Sequence, residues 1–337
     1  MAEPLKPRAA VEQMAPYSPP RSGREGKLRL DFNENTVGCS PAVIRFLVEK
    51  LTQEQLTIYP EYEATRAALA GYFGQPAERF AITNGTDEAI QVLINTYVDD
   101  GDEVLILRPS YAMYRFYAEV AGGCVRELPY REQDLSFPLE KLIAAVGPKT
   151  RAILISNPNN PTGTAIGLDA VEAILKSAPG AAVMIDEAYF EFFGVTAMPL
   201  IDKSSNLFVS RTFSKAFGMA AMRVGCLFSQ EPNVRYMRKA QSPYSVNMLA
   251  ALAVRAAVED ETYVAEYVRK AVEARELIYD GFRQRGICFY PSQANFVLFH
   301  AGDQAKTVRD GLRDRGVLIR DRSYEIPGTV RVTAGTP

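Results

Sequence analysis

Up to Phe228 the chain carries short runs that are apolar along nearly their whole length, at residues 80–83, 103–107, 152–156, 182–186, 206–210 and 224–228, with a further, more polar strand at 124–128. A strand with one wet face alternates apolar and polar positions, so runs without that alternation are expected to be buried on both faces. Between them the apolar positions recur at helical spacing: Ile90, Val92, Leu93, Ile94 and Tyr97 form one such face, and 111–121, 139–146 and 170–176 carry others. Strands alternating with helices predict an α/β fold with a mostly parallel sheet covered by helices.

The flanks read differently. Residues 1–26 contain Pro4, Pro7, Pro16, Pro19 and Pro20, a composition that opposes regular structure and predicts an arm lying on another surface. Residues 28–35 alternate like a short strand and then turn. Ser40-Pro41 is a cap followed by a first-turn proline, which starts a helix through Ile44, Phe46, Leu47 and Leu51. Tyr59-Pro60 ends a loop, and 63–73 is helical by period. Beyond Phe228 the helices lengthen, at 233–240, 246–258 and 261–285. Strands at 295–299, 317–320 and 330–333, with a helix at 304–315, then predict a smaller α/β unit. The expected organisation is an arm (1–40), a large unit (41–240) and a small unit (241–337).

A length of 337 residues agrees with two units rather than one. The formal charge of −2 gives no pull toward nucleic acid or an anionic membrane, and neither is expected as a partner. Cys39, Cys124, Cys226 and Cys288 are scattered without a CxxC pair, which fits a reducing, cytoplasmic setting. A single histidine, His300, argues against a His-based zinc site or a Ser-His-Asp triad, and no metal is expected. No run reads as a secretory or membrane-spanning segment.

Ligands of open α/β sheets bind beyond the carboxyl ends of the strands. Gly85-Thr86-Asp87, Tyr111, Asn157, Asp186, Tyr189 and Lys215 all fall at such ends. Lys215 sits beside Ser214 and near Thr212, with Arg223 eight positions on. A lysine amine near its ordinary pKa of about 10.4 is protonated and inert. Nearby positive charge or desolvation frees it to form a Schiff base. Hydroxyls, a guanidinium and a glycine that admits close backbone approach suit a phosphate. A lysine for an aldehyde next to a phosphate cradle points to pyridoxal 5'-phosphate. Asp186 would hold the pyridine nitrogen protonated and so make the ring an electron sink. Asn157 and Tyr189 would meet the ring's phenolate oxygen, and Tyr111 would stack on its face. Lys215, once released, would carry the proton as general base and acid. Taken singly, each residue also admits a structural role: Asp186 as a turn cap, the tyrosines as core edges, the Asn157–Gly163 run as a rigid turn. It is their convergence on one rim that favours chemistry.

These residues resemble the fold-type I pyridoxal-phosphate aminotransferases, and among them the histidinol-phosphate aminotransferase family. The likeness runs from about Tyr17 to Thr336. It rests on Asp31-Phe32-Asn33-Glu34-Asn35, Tyr59-Pro60, Asn84-Gly85-Thr86-Asp87-Glu88, the Asn157–Gly163 run, Asp186-Glu187-Ala188-Tyr189, Ser214-Lys215 with Arg223, Ala294-Asn295-Phe296 and Arg331-Val332-Thr333. The resemblance implies Lys215 as the Schiff-base lysine and Asp186 as the pyridinium partner. It implies Gly85, Thr86, Asp87, Thr212, Ser214 and Arg223 around the phosphate. Tyr59 would reach the cofactor phosphate of a second subunit, which implies a homodimer with shared sites. Arg331 would receive the substrate's anionic group, with Arg320 and Tyr17 as neighbours. The implied reaction is amino transfer between glutamate and imidazole acetol phosphate. An aromatic aminotransferase, a threonine-phosphate decarboxylase-like lyase and a non-catalytic binding protein on the same fold are the alternatives. Asn35-Thr36, Gly38-Cys39-Ser40 and Met219-Ala220-Ala221 depart from the family's usual residues, and relatives continue past the position of Pro337 into a final helix.

Overall fold

The computed structural model describes residues 5–14 and 23–337. Its larger sheet has seven strands, in the spatial order Phe80–Thr83, Gly225–Phe228, Leu207–Thr212, Ala182–Asp186, Thr150–Ser156, Glu103–Arg108, Cys124–Pro129. Four strand pairs of this sheet are parallel, as the pattern predicts, but Gly225–Phe228 runs antiparallel to both of its neighbours. Period 2 explains why the runs lack polar alternation. Val104 and Ile106 face one core together with Leu154, Met184 and Phe208, whereas Leu105, Leu107, Ile153, Val183 and Val209 face the other. Helices Gly85–Tyr97, Met113–Ala121 and Glu231–Ala240 cover the first face. Leu139–Ala145 and Leu168–Ser177 lie on the second.

Helix Pro41–Lys50 begins as its sequence dictates, with Ser40 Oγ accepting the Ala42 N–H at 3.0 Å and Pro41 in the first turn. Helix Met248–Glu259, which lies beyond residue 240, packs against Pro41–Lys50 and Glu63–Phe73. Its Ala250, Ala253 and Val254 share a core with Val43 and Leu69, and Thr65 Oγ1 donates to Ala251 O at 3.0 Å. The long helix Glu261–Gln284 then leads to a four-stranded antiparallel sheet, ordered Arg320–Asp321, Thr329–Thr333, Phe296–His300, Phe289–Tyr290.

The strand expected over 317–320 divides between two partners. Val317–Leu318 pairs in parallel with Leu28–Arg29 of the arm, and Arg320–Asp321 joins the small sheet. In the part of the arm where proline argued against regular structure, Ala9–Gln13 forms a short helix against Met113–Ala121. Gln53–Thr57 is a further short helix that periodicity did not predict; a reciprocal Thr52–Gln55 capping box starts it. Among the described residues no helix is long and apolar enough to cross a membrane.

Candidate active site

The carboxyl ends of the parallel strands open on one rim, facing the small sheet. There a cavity of about 250 Å³ lies between Thr86, Asp186, Lys215 and Arg331. One end is built for an anion. Gly85 opens helix Gly85–Tyr97 at φ +71°, a conformation that favours glycine, and a Cβ there would lie 2.5 Å from Arg223 Nη2 and would have to displace that guanidinium. Arg223 is itself held in the left-handed region, at φ 55° and ψ 59°, which costs an ordinary residue roughly 1–2 kcal/mol. The backbone conformation turns its side chain back across the loop. Nη1 donates to Ser214 Oγ at 3.3 Å and Ala220 O at 3.1 Å, and Nη2 to Asp87 Oδ2 at 3.2 Å. Thr212 Oγ1 accepts the Ser214 N–H at 3.2 Å. A carboxylate cannot donate to an anion. Asp87 instead fixes its neighbours, accepting from Arg223 and, at 2.7 Å, from the Tyr111 hydroxyl.

Lys215 lies mid-cavity, its Nζ donating to Phe32 O at 2.9 Å and standing 5.8 Å from the centre of the Tyr189 ring. Tyr189 is buried edge-on against Phe296, and its hydroxyl accepts from Asn33 Nδ2 at 3.0 Å. Asp186 ends its strand 2 % exposed. Its two oxygens accept from Tyr114 and Ser210 hydroxyls, each at 2.8 Å. Burial pushes this carboxyl up; the two hydroxyls pull it back only in part. Among the described residues no cation forms an ion pair with it, so a cationic group entering the cavity would find an uncompensated carboxylate.

Asn157 has a different task from the one expected of it. Its Nδ2 donates to Ile166 O at 3.1 Å and its Oδ1 accepts the Ile166 N–H at 2.9 Å. Both ends of the amide are spent closing the loop, and the side chain does not line the cavity. Asn159 likewise braces the loop, donating to Pro109 O and Thr162 Oγ1. Asn160 is the asparagine that reaches the cavity wall.

At the other end, Arg331 is 4 % exposed. Its Nη2 donates to Asp31 O at 2.6 Å and its Nη1 to Asn160 Oδ1, while Nε has no partner among the described residues. Burial, then the nearby Arg322 and Arg320, lower its pKa to about 10, which leaves it cationic at neutral pH. Arg320 is its cross-strand partner and lies 5.5 Å over the Phe32 ring. Tyr59 is outside this cavity: it is 72 % exposed and stacks on Tyr244 with ring centres 4.4 Å apart. Tyr17 lies outside the described residues.

The sequence profile of the aminotransferases of class I and II matches residues 25–337. The chain belongs to that family. It is 36% identical to the histidinol-phosphate aminotransferase of Symbiobacterium thermophilum, over 98% of this chain and 94% of that protein. To the protein of that name from a Geobacillus species it is 32% identical, over 98% and 93%. The fold superposes with a TM-score of 0.87 on the crystal structure of a histidinol-phosphate aminotransferase from Sinorhizobium meliloti in complex with pyridoxal-5'-phosphate. That match is 24% identical and covers 97% of this chain and 92% of the other.

In this aminotransferase the cavity brings together Gly85, Thr86, Asp87, Tyr111, Asp186, Tyr189, Thr212, Ser214, Lys215, Arg223, Arg320 and Arg331, either as lining or by direct contact with it. Sequence reasoning missed Tyr114, Ser210, Asn160 and Arg322. Tyr114 was signalled by its spacing of three from Tyr111 in the helix expected over 111–121; the helix begins at Met113, and the two rings meet edge-on with centres 5.7 Å apart. Arg322 was signalled by its spacing of two from Arg320. Nothing in the sequence distinguishes Asn160 from Asn157.

Proposed function

We propose that this aminotransferase binds pyridoxal 5'-phosphate and transfers an amino group from glutamate to imidazole acetol phosphate, the histidinol-phosphate:2-oxoglutarate reaction of histidine biosynthesis. The observation that carries the reading is the arrangement of charge. One cavity has a glycine–arginine cradle at one end, a buried guanidinium that pairs with no carboxylate among the described residues at the other, and a lysine between them. The donor set fits the cofactor: a Cβ at Gly85 would fill the cradle, and the buried carboxylate of Asp186 lacks a cation that a protonated pyridine nitrogen would supply.

When bound, the cofactor supplies the electron sink that acidifies the substrate's α-carbon. The chain's residues do the rest. Arg223, Ser214 and Thr212 hold the phosphate, with the helix start at Gly85 adding its positive end. Asp186, fixed by Tyr114 and Ser210, would hold a proton on the ring nitrogen. Tyr189 and Asn160 would hold the ring oxygen, and Tyr111 would pack on the ring. Lys215 Nζ would take the proton from the substrate's α-carbon and deliver it to the cofactor carbon that had carried the aldehyde. Arg331 receives the anionic group of either substrate, with Arg320 beside it.

A second copy of the chain would complete the site. Val48, Leu56, Ile58 and Tyr59 are 80%, 65%, 50% and 72% exposed, an apolar surface that suits a homodimer in which Tyr59 serves the neighbouring cavity. The formal charge of −2 gives no pull toward nucleic acid or an anionic membrane, and four cysteines without a disulfide suit a cytoplasmic enzyme. The test is a half-reaction with glutamate followed by acceptor turnover, comparing kcat/KM for histidinol phosphate and phenylalanine in reverse. Preference for histidinol phosphate supports the reading. Preference for phenylalanine makes the enzyme an aromatic aminotransferase, and carbon dioxide release without an oxo acid makes it a lyase.

A further inference from the structure

The substrate end of the cavity holds one more cation than two-anion traffic at Arg331 and Arg320 requires. Arg320 and Arg331 are opposed across adjacent strands. The Arg322 N–H donates to Thr329 O at 3.0 Å, which extends that ladder beyond Asp321. Side chains two apart on a strand share a face, so Arg322 joins Arg320 and Arg331, and all three line the cavity. Like charges facing one another across strands are unfavourable. Arg322 is nevertheless 8 % exposed and its Nε has no partner among the described residues, the same condition as Arg331.

Among the described residues only Glu325 forms an ion pair with any of the three, and it does so with Arg322. The turn that follows Arg322 holds it there, Glu325 N donating to Arg322 O at 2.9 Å. Burial raises the Glu325 carboxyl, while Arg322, Arg331 and Arg320 each lower it, so this one carboxylate feels the whole cluster. Arg322 Nη1 also donates to the Tyr324 hydroxyl at 2.8 Å, and Tyr324 is 67 % exposed at the cavity rim. Three guanidiniums against one carboxylate leave two positive charges. A phosphate monoester, carrying about −1.5 to −2 at neutral pH, matches them and a single carboxylate does not.

We propose that Arg322 is a third guanidinium of the subsite that takes the substrate's phosphate, and that Glu325 is its internal counter-ion, displaced when a dianion arrives. This rests on the reading that the cavity accepts a phosphate-bearing amine. A monoanion carries too little charge to compete with Glu325 and stays with Arg331. A phosphate draws Arg322 away and gains a planar donor pair suited to its oxygens. The pair therefore sets the preference for a phosphate ester over a monocarboxylate.

The experiment measures competitive inhibition of the glutamate half-reaction of the holoenzyme by phenyl phosphate, a dianion, and benzoate, a monoanion of similar size. Arg322→Gln should raise the phenyl phosphate inhibition constant about tenfold or more, the size of a lost charge-assisted contact. Glu325→Gln should lower it a few-fold, because the competing carboxylate is gone. Benzoate should change less than about twofold in both, and Arg322→Lys should fall between wild type and Arg322→Gln. A merely structural ion pair would weaken both inhibitors alike in both variants, and that result overturns the proposal. So does an Arg322→Gln enzyme that binds phenyl phosphate as the wild type does. Should the wild type fail to turn over histidinol phosphate, the assigned reaction falls, while the two inhibition constants still report on Arg322.

Discussion

Replacing Gly85 with alanine should weaken cofactor binding through its phosphate and not through its aldehyde. The residue lies at φ +71°, and the added Cβ would sit 2.5 Å from Arg223 Nη2 and 3.1 Å from Cζ. A left-handed alanine costs about 1–2 kcal/mol, and this part should lower the melting temperature of apo and holo protein alike. The guanidinium must then move, and its contacts at 3.2 Å to Asp87 and 3.3 Å to Ser214 stretch or break. One charged hydrogen bond to phosphate is worth about 1.5–3 kcal/mol, so affinity should fall roughly ten- to 150-fold, each 1.4 kcal/mol being about tenfold. The assay is titration of the apoenzyme with pyridoxal 5'-phosphate, followed by absorbance of the lysine-linked form, with unphosphorylated pyridoxal as control. Pyridoxal lacks the group that Arg223 holds, so its affinity should stay within about twofold. Equal losses for the two ligands, or an unchanged constant for the phosphate, would refute the cradle argument.

Asp186→Asn should lower kcat by a hundredfold or more, since a charged partner worth about 3 kcal/mol is lost at the ring nitrogen. The same change should not destabilise the apoenzyme. Its folded carboxyl is raised above the unfolded value by burial, so the folded apoenzyme binds more protons and loses stability as pH rises from about 4 through the folded pKa; apo melting curves against pH should show that slope in wild type and lack it in the variant. Asn157→Ala and Asn160→Ala should separate structure from chemistry. The first loses two buried hydrogen bonds, about 1–3 kcal/mol of unfolding free energy by denaturant titration, and the second lowers kcat/KM with little change in stability. Tyr59→Phe and Lys215→Ala subunits, each impaired alone, should regain activity when mixed and allowed to exchange; no recovery after verified exchange would mean the site lies within one chain.

Much of the architecture was legible because both faces of the large sheet are buried. A run such as Ala182–Asp186 has nowhere to put a polar residue until its end, and there the polar residue is Asp186. Strand direction was not legible. Gly225–Phe228 sends Cys226 and Phe228 to one core and Leu227 to the other, alternating as the parallel strands of the sheet do, so its apolar pattern carries no trace of its antiparallel course. The asparagine loop fails for a related reason. Asn157, Asn159 and Asn160 offer the same amide, and only the return of the chain to Ile166 decides which one is spent on the loop and which faces the cavity. Tyr114 and Arg322 went unseen because each reads as an ordinary element residue until the register sets it beside Asp186 or Arg331.

The central claim is that Lys215 is the residue that carries pyridoxal 5'-phosphate in this cavity. The direct measurement is borohydride reduction of the yellow holoenzyme, digestion and peptide mass mapping. The account predicts the pyridoxyl mass on the peptide containing Lys215, with glutamate added before reduction preventing the label. A label on any other lysine, or none at all at saturating cofactor, would contradict it.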